Sequence, residues 1–159
     1  MNKFMQIAYE EAEKGMRLGH GGPFGAVIVK EGKIIAKAHN EVLLNNDATC
    51  HAEIQAIRKA SKKLKRFDLN DCELYVTGEP CPMCFGGIHW AKMKKVYYAC
   101  SIKDAEKIGF DDKFIYDAIL NENFKQKKNN TKVSFKQLNR RECIPLFNLW
   151  KNKKNKTRY

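Results

Sequence analysis

Two short stretches of the 159-residue chain hold residue types that can do chemistry together: "CHAE" at 50–53 and "EPCPMC" at 79–84. Zinc takes histidine nitrogen and cysteine thiolate readily, and a C-x-x-C pair offers two sulfurs from one helical turn. His51, Cys81 and Cys84 would make three ligands and leave a fourth position for water. Zinc lowers the pKa of such a water from about 15.7 toward ~7, which gives hydroxide at neutral pH. Glu53, two residues beyond the histidine, is within reach of that water and of a substrate. A carboxylate there can take the water's proton, deliver it to a ring nitrogen and then to a departing amine. The chemistry implied is hydrolytic deamination, in which water adds to an amino-bearing ring carbon and ammonia leaves.

Each motif alone has a plainer reading. A lone C-x-x-C serves as a redox pair, which would want a thioredoxin-like context that this one lacks, or as half of a closed structural zinc site. A closed site needs a fourth ligand. Cys72, Cys100 and Cys143 show no pairing that suggests one, and Cys50 beside His51 would strain to share the same metal. In this order and about 30 residues apart, the two motifs together point to a catalytic zinc.

The flanking patterns supply the elements that must position these residues. Met5, Ala8, Ala12 and Met16 recur at helical spacing, which predicts an amphipathic helix over 2–18. "FGAVIVK" and "KIIAKAH" flank the turn pair Glu31-Gly32, so 24–39 reads as a β-hairpin. "HAEIQAIRKASKKL" predicts a helix that buries Ile54, Ile57 and Leu64, and "CELYVTG" a third strand. "CPMCFGGIHWAKM" opens a helix with Pro82 in its first turn, and "KVYYACS" is a fourth strand. Helical stretches follow near 103–108 and 112–120, then a polar loop, a short strand in "KVSFKQL", and a last helix over 143–153 with Pro145 in its first turn. His51 and the cysteine pair each fall at a helix start, so two positive helix ends would converge on the metal and favour thiolates. Strands separated by helices imply an α/β fold, a three-layer α/β/α sandwich around a central sheet of about five strands. No repeat or linker divides the chain, so 1–159 reads as one domain.

Composition agrees with this and bounds the partners. With 43% apolar and 30% charged residues the chain has the balance of a globular protein. No apolar run approaches the ~20 residues that span a bilayer. The first 15 residues are acidic and periodic and do not read as a signal peptide, so the six cysteines are expected as ligands or free thiols in the cytoplasm. The net charge of +12 is uneven: residues 121–159 hold 12 Lys/Arg against 2 acids. That stretch favours polyanions and leaves nucleic acid open as a partner, although a solvated surface explains it equally well.

H-x-E followed by P-C-x-x-C is the signature of zinc-dependent nucleobase deaminases. The chain resembles the cytidine deaminase-like superfamily and, within it, the bacterial guanine deaminases. The likeness runs from "GGPFGAVIVK" through "HAEIQAIRKA" and "EPCPMCFGGIHWA" to "GFDDKFIYDAI" and Tyr159. It implies hydrolysis of guanine to xanthine and ammonia with one zinc per subunit, in a homodimer whose C-terminal segment, about 141–159, crosses to the partner. It further implies that Asn40 hydrogen-bonds the purine, that Phe24 and Trp90 pack on its ring, and that Asp112 accepts hydrogen bonds from the guanine edge, with Asp111 able to take that role instead. Tyr159 would close the partner's pocket. Two positions depart from the family pattern: Cys50, where a small residue is expected, and Gly78, where related chains often carry a bulkier one. The same zinc set also serves tRNA adenosine deaminases, which the basic segment would suit, and deaminases of cytosine or another free base.

Overall fold

A computed structural model describes residues 1–121 and 134–154 of the chain. The first helix, α1 (Lys3–Arg17), begins where the Asn2 side chain accepts hydrogen bonds from the backbone N–H groups of Phe4 and Met5. Met5, Ala8, Ala12 and Met16 are buried on its inner face, as their spacing requires. The hairpin follows as β1 (Gly25–Lys30) and β2 (Lys33–His39). Glu31 and Gly32 both take positive φ, the conformation that matches the twist of a two-residue hairpin. A one-turn helix that the sequence pattern did not announce, α2 (Val42–Asn45), precedes α3 (Ala52–Leu64). Then come β3 (Cys72–Gly78), α4 (Pro82–Trp90), β4 (Lys95–Cys100), α5 (Ile102–Glu106), α6 (Lys113–Asn121), β5 (Ser134–Gln137) and α7 (Arg140–Asn152).

The five strands form one mixed sheet in the order β2-β1-β3-β4-β5, antiparallel through β3 and parallel from β3 to β5. Successive residues of a strand face opposite sides, and β1 divides its apolar side chains accordingly. Val27 and Val29 join α1 and α7 in one core cluster, while Ala26 and Ile28 join α3 and α4 in the other. The sandwich therefore has three layers. Among the described residues, no helix is long and apolar enough to cross a membrane.

Two expectations change. The buried face of α3 is the small stripe Ala52, Ala56 and Ala60, each fully buried, while Ile54, Ile57 and Leu64 are only partly covered. Small side chains let the helix lie close to the sheet, and the larger ones flank that contact. The last helix begins at Arg140, so Pro145 lies in its second turn and removes one interior backbone hydrogen bond. Leu146, Phe147 and Trp150 remain its buried anchors.

Asp104 joins α5 to α7. It caps α5 in a reciprocal box with Ser101, and its buried carboxylate pairs with Arg140 at the start of α7, Nε to Oδ2 at 2.6 Å. The hydrogen bonds from Arg140 hold the Asp104 carboxyl at about 2 against the opposing effect of burial, well below its ordinary 3.8. Because the folded value is the lower one, this contribution is complete above 3.8 and is lost as pH falls toward about 2. Arg140 is itself half exposed, so the pair is partly screened. Asp104→Asn should cost about 1–2 kcal/mol near neutral pH. Urea unfolding followed through the acid range should show a shallower loss of stability in the variant than in the parent chain.

Candidate active site

His51 and Cys81 occupy equivalent places as the residues immediately before α3 and α4, both with extended backbone. Neither side chain caps its own helix; the two turn toward each other instead. Cys84 follows on the first turn of α4, its side chain fully buried. Sγ of Cys81 lies 3.5 Å from Nδ1 of His51, and Sγ of Cys84 lies 3.6 Å from the same atom. Zinc bonds of the usual length, ~2.3 Å to sulfur and ~2.0 Å to nitrogen, meeting at a tetrahedral angle require a nitrogen–sulfur edge of about 3.5 Å. The donor set thus fits zinc in both chemistry and spacing. Among the described residues it is the one cluster of histidine, cysteine or carboxylate side chains arranged to hold a metal, with all three donors within 4.8 Å of one another. Cys50 stays outside it, buried with its thiol on the Asp47 carboxylate.

The environment favours a thiolate. A hydrogen bond from Cys84 is the chief reason that the Cys81 thiol falls to about 4; burial opposes it, and His51 adds to it. Sharing that charge pushes Cys84 upward. Glu53, on the first turn of α3, is buried with its carboxyl pushed up to about 7, by burial first and by the Cys81 charge second.

A cavity of about 450 Å³ opens above the cluster, lined by His51, Glu53 and Cys81 together with Phe24, Asn40 and Asp112. The structure thereby gathers most of the residues that the sequence singled out. Phe24 is boxed edge-on by Phe110, with ring centroids 4.9 Å apart, and by Phe147 at 5.5 Å. The absent side chain at Gly78 makes room for it, since a Cβ there would sit 3.0 Å from the Phe24 ring. Asn40 is buried, and its Oδ1 accepts the backbone N–H of Val42. A backbone N–H can only donate, so the atom facing it is the oxygen, and the other end of the amide is a donor.

Both aspartates line the cavity, with different neighbours. Asp111 accepts the backbone N–H of Lys113 at 2.9 Å and so serves the start of α6, while burial raises the carboxyl of Asp112. Trp90 is corrected. It ends α4 with 85% of its surface exposed and does not line the cavity of its own chain. The 3.6-residue repeat explains this: Trp90 sits six residues past Cys84, and six residues is 600° of helix, so it faces away from the metal side. Tyr159 lies outside the described residues.

Sequence reasoning missed Phe110, Met83, Ile102 and Ala105, which make the apolar wall, and the rim residues Phe114 and Ile115. Phe110 stands inside "GFDD", a motif whose aspartates carry the more evident chemistry. Glu79 was also missed. Its carboxylate accepts the backbone N–H of Ile102 and ties the cysteine loop to α5.

Comparison with known proteins agrees with this geometry. Residues 1–100 match the family described as the cytidine and deoxycytidylate deaminase zinc-binding region. The chain is 47% identical to guanine deaminase of Bacillus subtilis strain 168, over 98% of this chain and 97% of that one. It is 45% identical to a tRNA-specific adenosine deaminase of Aquifex aeolicus strain VF5, over 60% of this chain and 63% of the other. The X-ray structure of the Bacillus subtilis guanine deaminase superposes with a TM-score of 0.71 at 45% identity, covering 100% of this chain and 99% of that one.

The purified chain should carry about one zinc per molecule, and Cys84→Ala should retain less than roughly a tenth of it, because two ligands do not make a tight site. Elemental analysis after gel filtration checks both. Stripping the metal with a chelator should also lower the melting temperature of the parent chain while leaving Cys84→Ala unmoved.

Proposed function

Since the chain belongs to the cytidine and deoxycytidylate deaminase family of zinc-binding enzymes, we propose that its reaction is the hydrolysis of guanine to xanthine and ammonia. The observation that carries this reading is the placement of His51, Cys81 and Cys84 beneath a partly open cavity lined by Phe24, Asn40, Glu53 and Asp112. Likeness to a guanine deaminase at 47% identity over 98% of the chain supports the choice of base, whereas the tRNA deaminases match either a shorter stretch, 45% identical over 60% of the chain, or a longer one at lower identity, 37% over 83%.

His51, Cys81 and Cys84 would hold zinc, which would supply a water acidic enough to lose a proton near neutral pH. The remaining work falls to the chain. Phe24 packs on the purine face, and its edge-on neighbours Phe110 and Phe147 keep that ring from turning. Asp112 accepts hydrogen bonds from the ring N–H and exocyclic amine, and the Asn40 amide donates to a ring acceptor. The base is then held with its amino-bearing carbon over the cluster. Glu53 takes the water's proton and passes it to the adjacent ring nitrogen as the new carbon–oxygen bond forms. It carries the second proton to the amine, the carbon–nitrogen bond breaks, and ammonia departs.

The functional unit in this proposal is a cytoplasmic homodimer. The reducing compartment suits the six cysteines, all of which are free. In the single chain α7 buries Cys143, Leu146, Phe147 and Trp150 against the sheet. Exchange of about 141–159 between two copies keeps these contacts and changes only which copy supplies them. Asn139, in the left-handed conformation just before α7, is a natural place for the chain to swing out. Tyr159 would then close the partner's cavity.

Ammonia release should be measured separately with guanine, adenine, cytosine and a tRNA anticodon stem-loop. Guanine should react, and Glu53→Gln should lower that rate by roughly a hundredfold or more with zinc retained. Reaction of the stem-loop alone would overturn the choice of substrate. Deleting 155–159 should remove guanine turnover and spare both zinc content and the dimer; unchanged kinetics would sink the role of Tyr159.

A further inference from the structure

Behind the cavity runs a buried polar chain that the deamination steps do not use, and it grips the residues on both sides of Asn40. His39, at the end of β2, is 7% exposed. Its Nδ1 lies 3.3 Å from Oε2 of Glu11 on α1, and its Nε2 lies 2.9 Å from Nδ1 of His20 in the loop after α1. Lys37 holds the other Glu11 oxygen at 3.0 Å. On the far side of Asn40, Glu41 receives Gln55 at 2.5 Å and Lys59 at 3.5 Å, both from α3. Gln55 stands one turn beyond His51, so the chain ends on the metal helix.

The proton positions follow from the partners. Burial works to raise the Glu11 carboxyl, but the hydrogen bonds from Lys37 and His39 outweigh it and leave Glu11 ionised. An ionised carboxylate only accepts, so His39 must carry its proton on Nδ1. Burial keeps His39 neutral, which makes its Nε2 an acceptor. His20 must therefore donate from Nδ1.

Steric fit singles out the same residues. A Cβ on Gly15 of α1 would stand 2.4 Å from the His39 ring, and one on Gly21 would stand 2.1 Å from Oδ1 of Asn40. Glycine is unfavourable inside a helix, yet here it forms the socket for the His39 ring. Two consecutive residues, His39 and Asn40, thus have a glycine socket each.

We propose that His39, seated on Gly15 and tied to Glu11 and His20, is a positioning residue that fixes how the Asn40 amide meets the bound base. The inference rests on the reading of Asn40 as a base-binding residue, and the test separates the two. His39→Ala and Gly15→Ala should each raise KM for guanine about tenfold, with kcat held within about threefold and zinc content unchanged. His39→Gln, which keeps a donor and an acceptor, should recover most of the loss. In an Asn40→Ala background the same substitutions should add nothing, because they act through a group already removed. Full additivity in that background, or an unchanged KM in both single variants, overturns the inference. An Asn40→Ala chain with unchanged KM defeats the base-binding reading itself and the inference with it. A second readout needs no turnover: nitrogen NMR of the zinc-loaded protein at mildly alkaline pH should find the His20 proton on Nδ1. A proton on Nε2 instead would contradict the hydrogen-bond chain.

Discussion

Three donor atoms must meet within 4.8 Å although the segments that carry them lie about 30 residues apart, and the remainder of the fold can be understood as satisfying that constraint. The solution is to start a helix at each ligand. His51 and Cys81 stand at the mouths of α3 and α4, so two helix N-termini point into one small space and favour the negative charge on a thiolate. The alanine stripe of α3 sets how close that helix comes to the sheet, and the parallel step from β3 to β4 carries α4 to its side. A bulky residue in place of Ala56 would move His51 before it touched anything catalytic.

The cavity depends on a second, apolar construction on the opposite core. Phe24 leaves the hairpin and meets Phe147 of α7, while Phe110 meets Trp150 of the same helix at 5.6 Å. Helix α7 is in this way the back wall of an aromatic face made elsewhere in the chain. Asp104 and Arg140 fix where that wall begins.

Much of this was legible in the sequence because the signals were local. The hairpin rests on Glu31-Gly32, and α4 on a proline at its first position. The zinc set rests on spacings within two motifs, while the guanine reading came from resemblance to a family. What escaped depends on distances between elements. Nothing in "GFDD" says that Phe110 meets Phe24 across the molecule. Nothing in an isolated glycine says that Gly15 makes room for a histidine two strands away. Likeness to a family names Trp90 without giving its direction, and in the single chain the helical phase turns it outward. The start of α7 was set too late because Pro145 reads as a first-turn proline, whereas packing of Leu146, Phe147 and Trp150 carries the helix through it.

The most direct test of the account is diffraction at the zinc absorption edge from crystals grown with xanthine, the expected product. The account predicts a single strong anomalous peak bonded to His51 Nδ1, Cys81 Sγ and Cys84 Sγ, with the purine stacked on Phe24 and its edge on Asp112. A peak ligated by a fourth protein side chain, or a purine bound away from the Glu53 carboxylate, would contradict it.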